Sequence, residues 1–401
     1  MDDTIAGADV LTREHALALV RHLCDAANRH DTATLMAAYA DDAVAVSPQF
    51  AELRGRAAIA RAWETLFAMF SDCRVEVSDV LVDGNRIAML GVVTGTDRGG
   101  WFGLPSTGCT IQYRINILCT VVNGVIVRDE RIYDSAGVVE RLEKARLDRE
   151  LQMAAEVQRA LLYRTSFATP FCEVAARSIP CRSIGGDFFD VVQLPAGSVG
   201  VVVGDVAGKG PAAALLAAML QGVFAAEAQG GPGPARTLSR MNQILAARHV
   251  ESRFATLAYG VLSADGRLVY SNAGHNPPAI VSRNGVRRLT AGGPILGAFA
   301  DATFEEVTIE LSDRDTLLMF SDGITEAGNA GGDEFGDERL LAIATNRFEP
   351  PGALVGRIFD AAREFCGGVE QADDMTVAAA QFVEGATETE SSFPHSTPTI
   401  S

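Results

Sequence analysis

VGVVVGDVAGKGPAAALLAAMLQGVFAA (199–226) reads as a strand, a turn and a helix in succession. VGVVV is apolar without alternation, as expected of a strand covered on both faces. GDVAGKG then turns sharply at Gly208 and Gly210, and an uncharged, Ala-rich helix starts beside Pro211. Asp205 is thereby set at the end of a central strand. Three further segments place carboxylates in the same way: GGDFFD (185–190) opens an apolar run, SDGITEA (321–327) follows DTLLMF, and ADDMTV (372–377) precedes the last strand. A single aspartate at a strand end is ordinary turn chemistry. Four such segments predict a shared acidic pocket, and buried carboxylates are too costly to stand without cations.

Hard oxygen donors with no histidine or cysteine cluster beside them select Mg2+ or Mn2+ over zinc. Asp187 and Asp190 are three residues apart on a strand and point to opposite faces, which favours Asp187 as the ligand. Two ions sharing an aspartate could activate a water and neutralise charge on a phosphoryl group. A nucleotide-binding loop of the form GxxxxGK[ST] is excluded, because position 203 is Val and position 210 is Gly.

Outward from this core, strand-like and helical runs over 168–383 predict a β-sandwich flanked by helices. Upstream, residues 12–137 show helices first (13–28, 31–40, 56–70), then strands at 74–82, 86–96, 108–122 and 125–133. Their hairpin signals are DG at 83–84 and NG at 123–124. That order indicates an α+β domain. Residues 138–165 form a predicted linker helix. Leu147, Leu151, Ala154, Gln158 and Leu161 give it a heptad seam, from which a homodimer is expected. The polar, Ser/Thr-rich tail 384–401 is expected to be disordered.

The formal net charge of -17 over 401 residues disfavours nucleic-acid and anionic-membrane partners. Seven cysteines without a CxxC pair suit reduced thiols in the cytoplasm, and MDDTIAGADV shows no secretion signal. The apolar stretch 210–226 is expected to be a core helix, because it falls short of a membrane span and contains Gln221.

GGDFFD, GDVAGKGPAAAL, FATLAYGVL, YSNAGHNPPAI, GGPILGAF, LLMFSDGITEAGN, EFG and DDMTV occur in the order seen in SpoIIE/RsbU-type metal-dependent Ser/Thr phosphatases. These belong to the protein phosphatase 2C superfamily. The resemblance implies an α-β-β-α sandwich and two Mn2+ or Mg2+ ions. Asp187, Asp205 and the carbonyl of Val206 would hold one ion; Asp205, Asp322 and Asp373 would hold the other. It leaves open whether Asp373 or Asp374 makes the direct bond. Asp190 and Asp374 are candidates for the surrounding shell, and Arg182 stands near a phosphate-binding arginine of some members. His275 suggests an acid–base role, although a structural role in a tight turn is the simpler reading. The implied substrate is a phosphorylated STAS-domain anti-anti-sigma factor.

The helices-then-meander order, with YADDAVAVSP, GLPSTG (103–108) and NGVIVRDERIYD (123–134), resembles the SnoaL-like cone. That resemblance implies a ligand-binding sensor or a dimerisation module. Tyr39, Asp42, Tyr113, Tyr133 and Asp134 are its candidate pocket residues, with fold-capping as their plainer role. The alternatives are a pseudophosphatase scaffold and a cone enzyme with an accessory phosphatase domain.

Overall fold

The computed structural model describes residues 11–162, 165–248, 254–345 and 349–384. The expected disordered tail lies outside the described residues from 385 onward. The chain divides into two compact units, Met1–Glu150 and Leu151–Ser401.

The first unit contains α1 (Arg13–Asn28), α2 (Thr32–Ala37), β1 (Tyr39–Ser47), β2 (Ala51–Arg54), α3 (Arg56–Met69), β3 (Arg74–Asp83), β4 (Arg86–Thr96), β5 (Thr110–Val122), β6 (Val125–Ile132) and the start of α4 (Ser135–Leu161). Its six strands form one sheet in the order β2-β1-β6-β5-β4-β3. β1 and β6 run parallel, and the other neighbours are antiparallel. Side chains on β4 and β5 alternate between buried and more exposed, as expected of a sheet with one face on a core. Ile59, Trp63 and Phe67 of α3 join that core. This is the expected SnoaL-like α+β cone. Helix 31–40 ends early, at Ala37, and YADDAVAV is a strand despite its acids. β6 supplies its parallel partner far along the chain, which overrides local preference.

Tyr39 donates to Asp129 Oδ2 at 2.7 Å, and Arg131 Nη2 donates to the same oxygen at 2.8 Å. The Arg131 guanidinium also lies over the Trp63 ring, 4.6 Å from its centroid. Asp129 is buried, and this closed network neutralises it. Tyr113 is buried and Tyr133 half-buried in an aromatic cluster with Trp101. Asp42 is exposed, and Asp134 caps α4 by accepting from Gly137 N at 2.9 Å. Fold-capping thus accounts for Tyr39 and Asp134.

The second unit contains the end of α4, β7 (Ser166–Thr169), β8 (Cys172–Ile179), β9 (Phe188–Gln193), β10 (Val199–Val206), α5 (Pro211–Ala228), α6 (Pro234–Ala246), β11 (Ala255–Leu262), β12 (Arg267–Ala273), β13 (Ala279–Ser282), β14 (Gly285–Arg288), β15 (Glu306–Glu310), β16 (Thr316–Phe320), α7 (Asp322–Thr325), α8 (Gly336–Ala344), α9 (Pro351–Cys366) and β17 (Met375–Phe382). Two antiparallel sheets, β15-β12-β11-β10-β9 and β14-β13-β16-β17-β8-β7, face each other. Val201, Val203, Tyr270, Leu317, Met319 and Ala378 fill the space between them. α5 and α6 cover the first sheet, and α8 and α9 cover the second. Burial on both faces explains why β10 and β17 read as continuous apolar runs. α5 is long and apolar enough to cross a membrane, yet it packs against β9, β10 and α6 with Ala213, Leu216, Leu220 and Phe224 buried.

Two positions of the heptad seam expected on α4 pack within the chain. Leu151 packs with Ala155, Ile184 and Ala214, all of the second unit. Gln158 donates to Gly185 O at 2.7 Å and accepts from Gly185 N at 3.1 Å. A side-chain amide can satisfy both backbone groups of one residue, so this position is spent inside its own unit. Leu147 and Leu161 remain exposed.

Asp129→Ala leaves the Arg131 charge without its partner and is expected to cost about 3–5 kcal/mol. Tyr39→Phe, which removes one hydrogen bond, is expected to cost about 1 kcal/mol. Calorimetric melting of the two variants checks the order.

Candidate metal centre

Each acidic segment occupies the same end of one of the two sheets. Gly204 of β10 pairs with Phe188 of β9, so Asp205 and Asp187 lie one step beyond that pair. Phe320 of β16 pairs with Val377 of β17, which sets Asp322 and the Asp373–Asp374 pair just past the same edge. Ser321 ties the sheets together: its hydroxyl donates to Asp187 Oδ2 at 2.6 Å, and its amide donates to Thr376 O at 2.9 Å.

Asp374 is buried, and its carboxylate is taken up by backbone amides. Cys181 N donates to Oδ1 at 2.8 Å, and Gly186 N donates to Oδ2 at 2.6 Å. Charge-assisted bonds of this kind fix two points of the β8–β9 connection on one side chain. Asp373 is half-exposed, with Oδ1 accepting from Asp374 N at 2.9 Å and Oδ2 lying 2.9 Å from Lys209 Nζ.

The remaining carboxylates raise one another's pKa. Burial pushes Asp187 well up, and the neighbouring Asp205 adds to it. Asp205 is pushed up to about 7, first by burial and then by Asp322 and Asp373. Asp322 is raised by burial and then by Asp373. Glu326 follows the same trend through burial and Asp322. Both Glu326 and Ser321 lie in segments already singled out, but their sequence spacing alone gave them no role.

A β-carbon at Gly186 would stand 2.7 Å from Val206 O and 3.5 Å from Asp205 Oδ1. Glycine there keeps a carbonyl and a carboxylate oxygen open to one space. The donor set is all oxygen and carries excess negative charge, which fits hard divalent cations. Cys181, Asp373 and Asp374 also converge, with one ligand atom from each within 4.8 Å of the others. Burial and Asp374 push the Cys181 thiol up to about 11, so it stands there as a neutral thiol and a poor ligand.

Other expected residues fall outside this cluster. Asp190 Oδ1 accepts from its neighbour Val191 N at 2.8 Å. Arg182 is exposed. His275 is buried, its Nδ1 is 2.8 Å from Thr256 Oγ1, and its backbone is bracketed by the Asn272 side chain. Burial pushes it down to about 4, so it is a neutral residue of a tight turn.

Residues 195–383 match the family described as stage II sporulation protein E (SpoIIE), and residues 20–129 match the SnoaL-like domain. The chain joins a SpoIIE-family domain to a SnoaL-like domain. Protein IcfG of Synechocystis sp. is 29% identical over 229 residues, covering 50% of this chain and 36% of that protein. Phosphoserine phosphatase RsbU of Bacillus subtilis is 29% identical over 186 residues, covering 46% of this chain and 55% of that protein. The chain therefore spans less than two thirds of the length of either relative. The SiaA-PP2C domain of Pseudomonas aeruginosa shares the fold of the SpoIIE domain, with a TM-score of 0.52 at 20% identity. That likeness covers 60% of this chain and 98% of the other.

In the metal-free protein, raised carboxylates hold protons that the unfolded chain has already lost. Their contribution to stability is full below the ordinary value of 3.8 and is lost as pH rises through about 7. The melting temperature of metal-free protein is thus expected to fall between about pH 5 and pH 8. Asp205→Asn should flatten that fall, as thermal melts across the range will show.

Proposed function

We propose that this chain is a metal-dependent protein serine/threonine phosphatase. The observation that carries the reading is that strand pairing and the Ser321 bond to Asp187 set Asp187, Asp205, Asp322 and Asp373 at one edge of the sandwich. The likeness to a phosphoserine phosphatase supports it. Two Mg2+ or Mn2+ ions would be held by Asp187, Asp205 and Val206 O on one side, and by Asp205, Asp322 and Asp373 on the other. Once bound, such ions supply an activated water and neutralise the phosphoryl charge. Asp205 is the shared ligand in this arrangement. Ser321 orients Asp187, and Asp374 fixes the turn that carries it. The amide bonds on Asp374 favour Asp373 as the direct ligand and give Asp374 the positioning role.

The proposed substrate is a phosphorylated protein, in finer form a STAS-domain anti-anti-sigma factor, and the proposed compartment is the cytoplasm. We retain the limits 12–137, 138–165 and 168–383 for a regulatory domain, a linker helix and a phosphatase domain. A homodimer belongs to the same proposal, as does a small ligand in the cone, where Trp63, Tyr113, Arg131 and Tyr133 line a cavity. The complete acid set speaks against a pseudophosphatase scaffold. The neutralised Asp129 speaks against a catalytic base in the cone.

Hydrolysis of p-nitrophenyl phosphate is expected only with Mn2+ or Mg2+ present. Asp205→Asn should lower it about a hundredfold or more. A phosphoserine protein should be a substrate. Equal turnover by the variant, or turnover in chelator, would sink the reading.

A further inference from the structure

Among 34 basic residues, this chain has only two lysines, Lys144 and Lys209. Lys144 is exposed on α4. Lys209 lies in the turn between β10 and α5, held between Gly208 and Gly210, whose φ values are 99° and 79°. Both neighbours occupy backbone space that favours glycine, so the turn sets the direction of this side chain. Its ammonium lies 2.9 Å from Asp373 Oδ2 and 2.6 Å from Ala372 O. Gln371 Nε2 donates to Asp373 O at 2.7 Å, which fixes the backbone on that side. Among the described residues, Lys209 is the cation that makes a salt bridge with the acidic cluster.

We propose that Lys209 is a releasable counter-cation, which neutralises Asp373 in the metal-free protein and is displaced from Oδ2 when a divalent ion takes that oxygen. The inference rests on the metal-centre reading above. The ammonium reaches one oxygen of the Asp373 carboxylate, and a partly exposed pair of this kind is weak. A divalent cation with Asp205 and Asp322 as further ligands outcompetes it. Arginine would grip the carboxylate with two parallel bonds and resist displacement. That difference gives a reason for lysine here in a chain whose basic residues are otherwise nearly all arginine. The device keeps the Asp373 charge paired before loading and sets a small barrier to uptake.

The test uses the full-length chain in phosphate-free buffer. Amine acylation followed by mass spectrometry reads Lys209 against Lys144 as internal standard. Saturating Mn2+ is expected to raise the Lys209:Lys144 labelling ratio severalfold. A ratio that stays level or falls means the ammonium remains on Asp373, and the proposal fails. Calorimetric Mn2+ titration gives a second readout. Lys209→Met should bind about three- to tenfold more tightly at one site. Lys209→Arg should bind more weakly than the natural protein, although its charge is the same. Equal affinity of Lys209→Arg and the natural protein would reduce the effect to distant repulsion and overturn displacement. No Mn2+ uptake by the natural protein would bring down the metal centre itself.

Discussion

Carboxylate crowding at one edge of a sandwich is the constraint on which the second unit depends. Five aspartates meet there, and three of them have a partner of their own for the charge. Asp374 spreads its charge over backbone amides, Asp187 takes a hydroxyl from Ser321, and Asp373 takes an ammonium from Lys209. Asp205 and Asp322 keep raised pKa values, so the excess is concentrated between them. A proton or an added divalent cation would relieve that excess.

The first unit meets the same difficulty in another way. Asp129 is buried as deeply as Asp187, yet it faces Arg131 and Tyr39 and is fully paired. A resident guanidinium closes the account of charge and leaves no room for an ion. The contrast separates a carboxylate paired within the fold from one left beside excess negative charge. Asp129 lies within β6 and Asp187 just before β9, and their partners differ.

Much of this was legible in the sequence. VGVVV and DTLLMF announce central strands, and the aspartates that follow them are placed by chain connectivity alone. DG at 83–84 and NG at 123–124 mark hairpins that the sheet contains. What escaped depends on distant partners. β7, β13 and β14 are four-residue strands at or near a sheet edge, too short to show a period. The split of labour between Asp373 and Asp374 is set by amides at Cys181 and Gly186. Gln158 looks like a break in a heptad until Gly185 is seen beside it. Local pattern places an element, whereas the duty of a side chain is decided by what the fold brings to it.

The amides that Asp374 accepts from are 193 and 188 positions away in sequence. A single residue near the end of the domain therefore locks turns made near its beginning. Such remote closure is slow, and it has to wait for the last strand to leave the ribosome. A partly synthesised chain carries the early aspartates but lacks the clasp that gathers them. A chain that stops short of Asp374 therefore leaves the amides of Cys181 and Gly186 without the carboxylate that holds them.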